Sequence, residues 1–294
     1  MRPDPQTLER IKRIELRTRR LVRDTLAGAY HSVFKGRGIT FETVRPYQPG
    51  DDIRDIDWNV TARTNEAYIK TYTEDRELTV MLVIDRSASL FFGTRHTRKH
   101  DLAAEIAAAL ALSAISNNDK VGLLIFSDRI EQFIPPRKGR NHILRLIRDV
   151  LAVPVAGQGT DLALALRTIH QGVRRRAIVF FLSDFLAAPQ EYERDLRVAA
   201  NHHDLIAVIM RDPLEVRWPQ AGLVRVQDAE TGELALIDTG STGWRDNYAS
   251  QANRFEQVRT DTLTRADVDR IEIDVDGDYV RALTTFFGRR ARRG

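Results

Sequence analysis

The sequence predicts an α/β fold: a doubly wound, mostly parallel sheet with a small β subdomain. Two observations predict it. Continuous apolar, β-branched runs recur from Leu78 onward, and each alternates with a helical pattern. Such runs suit strands buried on both faces. A third observation points to function. "VMLVIDRSASL" (Val80–Leu90) ends an apolar strand in Asp85, Ser87 and Ser89, three oxygen-bearing side chains in one turn. A simple strand-to-helix turn requires no such set.

The N-terminal residues come first. Leu8, Ile11, Ile14, Leu21, Val22 and Leu26 mostly repeat at helical spacing, which predicts an amphipathic helix over 1–28. "VFKGRGITFETVRPYQPGDDIRDIDWNVTAR" then reads as short strands and turns, and Ala67–Tyr72 as a further strand, giving a β-rich segment over 29–77. The main domain spans 78–294. Its buried strands are "LTVMLVID", "KVGLLIF", "RAIVFFLSD", "DLIAVIM" and "DRIEIDV". "RIEQFI" follows a Ser-Asp turn and reads as a hairpin partner of the second. Helices are expected at 99–117, in "RNHILRLIRDVLA", "GTDLALALRTIHQGV" and "YERDLRVAANHH", near 245–263, and in "DYVRALTTFFGRR". Residues 211–243, rich in Pro, Gly, Asp and Thr, interrupt the alternation as a β-rich insertion.

Composition narrows the function classes. The chain has 294 residues, 43% of them apolar, enough for a large core. It has no cysteine, which removes disulfides and thiolate metal sites. No run approaches the roughly 20 apolar residues that span a bilayer, and the N-terminal residues lack the apolar stretch of a secretory signal; a cytoplasmic location is expected. The net charge is +4, with arginines concentrated at both ends (Arg17, Arg19, Arg20, Arg23; Arg289, Arg290, Arg292, Arg293). Aromatic interleaving is missing from these clusters, so nucleic-acid binding ranks low.

In an open α/β sheet, ligands sit beyond the carboxyl ends of the strands, at the point where strand order reverses. Asp85, Ser87 and Ser89 lie at such an end. One carboxylate with two neutral hydroxyls forms an incomplete, hard, oxygen-only cage of the kind Mg²⁺ accepts, with Mn²⁺ or Ca²⁺ as alternatives. Thr160 in "GQGTD" and Asp184 in "FLSDF" are placed to complete it. Each also has an ordinary structural reading: Thr160 as a helix cap, Asp184 as a turn brace. Asp128 in "IFSDR" is the rival to Asp184, but its strand is the second one, away from the crevice.

The set Asp85, Ser87, Ser89, Thr160 and Asp184 resembles the metal-ion-dependent adhesion site of von Willebrand factor A domains. The resemblance implies Ser87 and Ser89 as direct ligands, Thr160 direct or through water, and Asp85 and Asp184 largely through water. A partner's Asp or Glu would complete the metal's shell. Arg86, next to the motif, is expected to add local positive charge. The strings "FKGRGITFETVRPYQPGDDIRDIDWNVTAR", "YTEDRELTVMLVIDRSAS", "NNDKVGLLIFSDRIEQFIPPRKGR", "IVFFLSDF", "HDLIAVIMRDP" and "DAETGE" resemble a bacterial family numbered fifty-eight among domains of unknown function. Genes of that family commonly adjoin those of MoxR-type AAA+ ATPases. The resemblance therefore implies a non-enzymatic adaptor or co-chaperone of such an ATPase.

Within the signature, Arg45, Asp51, Asp52, Arg54, Asp55, Asp57 and Arg63 surround Tyr47 and Trp58. They read either as an ion-pair network tying the β segment to the main domain or as a docking surface. A metal-dependent hydrolase in the same crevice is the alternative activity. Against it, no Lys or His shows crevice spacing, His202 and His203 are simple neighbours, and neither a Gly-x-x-x-x-Gly-Lys-Ser/Thr loop nor a Gly-x-Ser-x-Gly elbow is present.

Overall fold

The computed structural model describes residues 26–34, 39–64, 66–74, 77–93, 97–152, 157 and 159–293, with the isolated positions 9 and 18. A six-stranded sheet forms the centre, in the order β10-β7-β6-β3-β4-β5. Its strands are β3 (Thr79–Asp85), β4 (Lys120–Phe126), β5 (Ile130–Arg137), β6 (Ile178–Ser183), β7 (Asp204–Arg211) and β10 (Asp269–Asp274). All neighbours are parallel except β4 and β5, which form the expected hairpin. Pro135 and Pro136 fall in β5, an edge strand, where a missing N–H leaves no inner ladder broken. The predicted fold class is the observed one.

Alternation along β3 and β6 divides the core. Val80, Leu82, Ile84, Ile178, Phe180 and Leu182 face one helical layer: α1 (Ala27–Val33), α3 (Lys99–Ser116), α4 (Arg140–Ala152) and α9 (Tyr279–Ala291). Met81, Val83, Val179 and Phe181 face the other: α5 (Leu162–Gly172), α6 (Pro189–His202) and α8 (Thr242–Arg265). α3 is buried on nearly every side, which explains its Ala-rich composition.

The segment before β3 differs from the β-rich expectation. β1 (Ile39–Pro46) and β2 (Tyr68–Glu74) do pair antiparallel, but Trp58–Thr64 forms a helix, α2, after a 3₁₀ turn at Ile53–Asp55. Asp57 nucleates α2 by accepting from the backbone N–H groups of Asn59 and Val60, an N-cap that outweighs the helix-averse Val60 and Thr61. The signature's charges pair inside the segment: Arg45 holds Asp51 through two bonds of 2.8 and 2.7 Å, and Asp52 holds Arg54. Among the described residues, these two pairs stay within the segment and do not reach the main sheet.

Most of the helix predicted over 1–28 lies outside the described residues. Its final part continues past the predicted boundary as α1, and Tyr30 is fully buried. The Tyr30 ring meets Phe34 and Phe287 at 4.9 and 5.9 Å, and its hydroxyl donates to Asp119 at 3.2 Å. Asp119 also accepts from the Leu78 N–H, so one carboxylate links α1 to the start of β3.

A second buried group gives the fold a pH dependence. His203, between α6 and β7, accepts from the Ala177 N–H at 3.3 Å, and burial, then the neighbouring His202 and His170, push it down to about 4. The unfolded imidazole titrates near 6.5. Between those values the unfolded chain binds more protons, so this contribution to stability is intact above about pH 6.5 and lost toward pH 4. Asp119, pushed up to about 6 by burial, acts in the opposite sense over part of that window. The comparison between variants therefore isolates His203: His203→Gln should flatten the acid loss of stability between about pH 6.5 and 4, measured as urea midpoints.

Candidate metal-binding crevice

The parallel register builds the site. Ile84 lies opposite Leu182, so Asp85 and Ser183 follow side by side on the same face of adjacent strands. Both are fully buried, and the Ser183 hydroxyl donates to Asp85 Oδ2 at 2.6 Å. Asp85 Oδ1 accepts from the Ser87 N–H at 2.8 Å, which folds the turn back on itself. The hydroxyls of Ser87 and Ser89 then lie 3.0 Å apart. The first three predicted residues are thus brought together, with Ser183 as a brace that sequence reasoning missed.

Asp184 follows in the next position, and its location is forced. Phe185 adopts a positive φ of 53°, unusual for a bulky side chain. Its ring is held in the core by Phe181 and Tyr192, while its N–H donates to the Ser183 hydroxyl. Buried Arg259 of α8 donates to the Asp184 carbonyl at 3.1 Å. The Asp184 carboxylate lies close enough to Asp85 to oppose its ionisation. Burial first, then this charge, push Asp85 up to about 7, against the lowering effect of its hydrogen bonds.

Thr160 comes to the Ser89 end of this site by another route. Its loop is pinned to the β4–β5 hairpin, where the Asp161 N–H donates to the Ser127 carbonyl and the Gly157 N–H to Glu131. Gly157 sits so close that an added Cβ would meet Ser127 Oγ at 2.0 Å. Thr160 does not cap the following helix. Asp161 does, accepting from the Leu164 N–H. Instead, the Thr160 hydroxyl donates to Glu230 Oε1 at 3.1 Å. Ser89, Thr160 and Glu230 line one cavity of about 720 Å³. The rival Asp128 is bound by Arg129 at 2.9 Å in the hairpin turn after β4.

Two expectations about positive charge are corrected. Arg86 points away from the hydroxyls: its guanidinium donates to the Val150 carbonyl in the last turn of α4 and lies 5.5 Å from the centre of the Phe91 ring. The orphan carbonyls of a helix end attract such a cation more strongly than solvent can. The local cation is Lys99, contrary to the reading that no lysine has crevice spacing. Lys99 is wholly buried, bonded to Asp184 Oδ2 at 2.9 Å and to Glu215 Oε1. Burial opposes its charge, but Asp184 and Glu215 outweigh it and raise its pKa, so it remains an ammonium. Glu215 is itself fixed: its other oxygen accepts from the Asp212 N–H in the capping box of α7 (Pro213–Val216). Lys99 carried a signal in the sequence. A lysine in the first turn of a helix opposes the dipole, so it needs an anionic partner nearby.

The oxygens are of the hard, mostly neutral kind that a small hard cation accepts, while among the described residues no group of three His, Asp or Glu side chains is placed to hold one. Asp184 and Glu215 share the Lys99 ammonium, and two neutral hydroxyls lie near Asp85, the carboxyl that burial and Asp184 push up to about 7. Oxygen donors of this kind suit Mg²⁺. Ser87, Ser89 and Thr160 would supply hydroxyl oxygens. Both oxygens of Asp85 are already hydrogen-bonded and Asp184 is shared with Lys99, so these carboxylates suit contact through water.

A doubly wound sheet with an Asp-x-Ser-x-Ser turn at the end of its first parallel strand, flanked by a second acidic turn on β6, defines a von Willebrand factor A-like protein. Within that class, the chain belongs to DUF58, a family described as a protein of unknown function, whose model matches residues 43–258. It is 33% identical over 291 residues to an uncharacterized protein of Mycobacterium tuberculosis H37Rv, Rv1480, covering 98% of this chain and 91% of that protein. It is 26% identical over 108 residues to the uncharacterized protein YeaD of Bacillus subtilis, covering 37% of this chain and 25% of that protein. Among solved structures, an aerotolerance-related membrane protein from Bacteroides fragilis aligns over 74% of this chain and 100% of its own, with a TM-score of 0.50 and 13% identity. That likeness concerns the fold. Among the described residues of the present chain, no helix is long and apolar enough to cross a membrane.

Removing the buried ammonium should expose how the crevice is held. Lys99→Met leaves Asp184 and Glu215 uncompensated and should cost about 3–5 kcal/mol. Adding Asp184→Asn should recover part of that loss. Urea unfolding of the single and double variants measures both.

Proposed function

We propose that the chain is a non-enzymatic, metal-dependent protein-interaction module that serves as adaptor or co-chaperone to a MoxR-type AAA+ ATPase. One observation carries the reading: two hydroxyls lie 3.0 Å apart beside a buried and electrostatically disfavoured carboxylate, and one of them, Ser89, lines a cavity together with Thr160. Bound Mg²⁺ would supply a Lewis-acidic position for an Asp or Glu of the partner. Ser87, Ser89 and Thr160 would hold the ion, while Asp85 and Asp184 orient its water shell. The ATPase follows from the family resemblance and its commonly neighbouring genes.

The polar groups next to the hydroxyl pair favour recognition over hydrolysis. Both oxygens of Asp85 accept hydrogen bonds, and Lys99 keeps its proton. A carboxyl raised to about 7 has the basicity of a general base, but Asp85 is fully buried away from the cavity lining, and a protonated lysine removes no proton. Apolar exposure nearby supports a protein partner. Residues 211–243 hold a hairpin of β8 (Leu223–Gln227) and β9 (Leu234–Asp238), whose outer face displays Leu223, Leu234 and Leu236. Clustered exposed side chains of this kind mark interaction surfaces.

Asp184→Ala is a poor test because it strands the Lys99 ammonium. The Ser87→Ala/Ser89→Ala variant removes donors without unpairing a buried charge. Capture of the ATPase by the immobilised chain should require Mg²⁺, be lost in chelator, and weaken at least about tenfold in the double variant, with unchanged thermal unfolding. Capture indifferent to both treatments overturns the reading.

A further inference from the structure

The insertion that interrupts the α/β alternation returns to the crevice through its hairpin turn, where a carboxylate meets Thr160. Glu230 sits in the turn between β8 and β9 and accepts from the Thr160 hydroxyl, seventy residues away in sequence, at 3.1 Å. The turn that presents it is rigid. Asp228 Oδ1 accepts from the N–H groups of Glu230 and Thr231 at 2.9 and 2.7 Å and from the Thr231 hydroxyl at 3.0 Å. The Gly232 N–H closes onto the Asp228 carbonyl at 3.0 Å, with Gly232 in the left-handed region that favours glycine. Asp228 is therefore spent on the turn, and Glu230 is left to reach the crevice.

The hairpin is also seated there by its inner face. Val226 and Ala235, which pair across the two strands, line the same cavity as Ser89 and Thr160. Beneath the hairpin, Trp218, Trp244 and Tyr248 form an aromatic cluster, with Trp244 and Tyr248 stacked at 5.4 Å. A Thr hydroxyl that donates its proton to Glu230 retains oxygen lone pairs for a cation. The contact is thus compatible with a shared ion.

Resting on the cation-site reading above, we propose that Glu230 is the site's own carboxylate ligand, held over the cation by the β8–β9 hairpin until an Asp or Glu of the partner replaces it. The hairpin then does two things at once. It completes the ion's oxygen set in the free chain, and it obliges any partner to displace a carboxylate already in place. Recognition becomes an exchange of one carboxylate for another, with the outer leucines of the same hairpin positioned to respond to it.

Mn²⁺ alone serves as the probe, read by calorimetry and by amide hydrogen exchange over residues 223–238. In the unaltered chain, Mn²⁺ should bind and slow exchange across the hairpin relative to chelator. Glu230→Gln should weaken Mn²⁺ binding about tenfold and abolish the Mn²⁺-dependent protection. Asp238→Asn removes the same charge from the same hairpin at a position outside the cavity lining and should leave both readouts unchanged. If Glu230→Gln binds Mn²⁺ like the unaltered chain, with the same protection, while Ser87→Ala/Ser89→Ala loses binding, the cation site stands and the role of Glu230 is overturned. If the unaltered chain binds no Mn²⁺, the cation-site reading fails and the inference falls with it. If Glu230→Gln and Asp238→Asn weaken binding equally, the effect is general electrostatics and the specific assignment to Glu230 is overturned.

Discussion

The Lys99 ammonium, wholly buried and bonded to Asp184 and Glu215, is the charge around which the carboxyl ends of β3, β6 and β7 meet. A buried charge persists only where partners compensate its lost hydration. Here the charge and its two partners come from three separate parts of the chain. Lys99 opens α3 directly beyond the β3 turn, Asp184 leaves β6, and Glu215 closes the capping box that follows β7. The helix on one face of the sheet is thereby fixed to loops on the other. Asp85 lies beside this arrangement, where burial first and then the Asp184 charge push it up to about 7.

Rigidity around the hydroxyl pair comes from the sheet, and adaptability from the insertion. Every element that positions Asp85, Ser87 and Asp184 is locked by ladder register, by a buried aromatic ring or by a backbone bond. The Ser183 hydroxyl bridges two strands, and Phe185 holds a strained backbone through its packing. Strain of that kind survives where the surroundings over-determine it, which is commonly at functional sites. The β8–β9 hairpin has a different character. Its two strands pair only with each other, much of its surface is exposed, and it meets the crevice through a single side-chain bond and a few apolar residues. Elements of low local stability are the ones that move during binding.

The sheet was legible because its chemistry is unambiguous. Runs such as Val80–Ile84 and Ile178–Leu182 are too apolar for any setting but a strand covered on both faces. Asp85 and Asp184 could be placed because they end those runs, and strand order makes their loops neighbours; Asp128, after β4 on the other side of β3, lies against Gly157 and Gly159 and is paired with Arg129. Helix α2 was illegible for the opposite reason. Its Trp, Val and Thr favour strands, and only the cap supplied by Asp57 turns the segment helical. Lys99, Glu215 and Glu230 escaped notice because each gains its role from a partner more than sixty residues distant. Spacing along the chain carries no record of such meetings. The weak trace of Lys99 was its position at the wrong end of a helix dipole.

Lys99 also bears on how a cation would be held. An ammonium that already neutralises Asp184 lowers the negative potential available to an ion beside it. With Asp184 partly spent and Asp85 fully hydrogen-bonded, the protein's remaining contributions are mostly neutral hydroxyls. Neutral donors bind a divalent ion weakly and leave much of its charge unanswered. An added carboxylate then gains more than it would at a site already rich in them. If the proposed cation binds here, a lysine that already answers Asp184 would leave firm binding dependent on a further acid, whether that acid comes from the chain's own hairpin or from another protein.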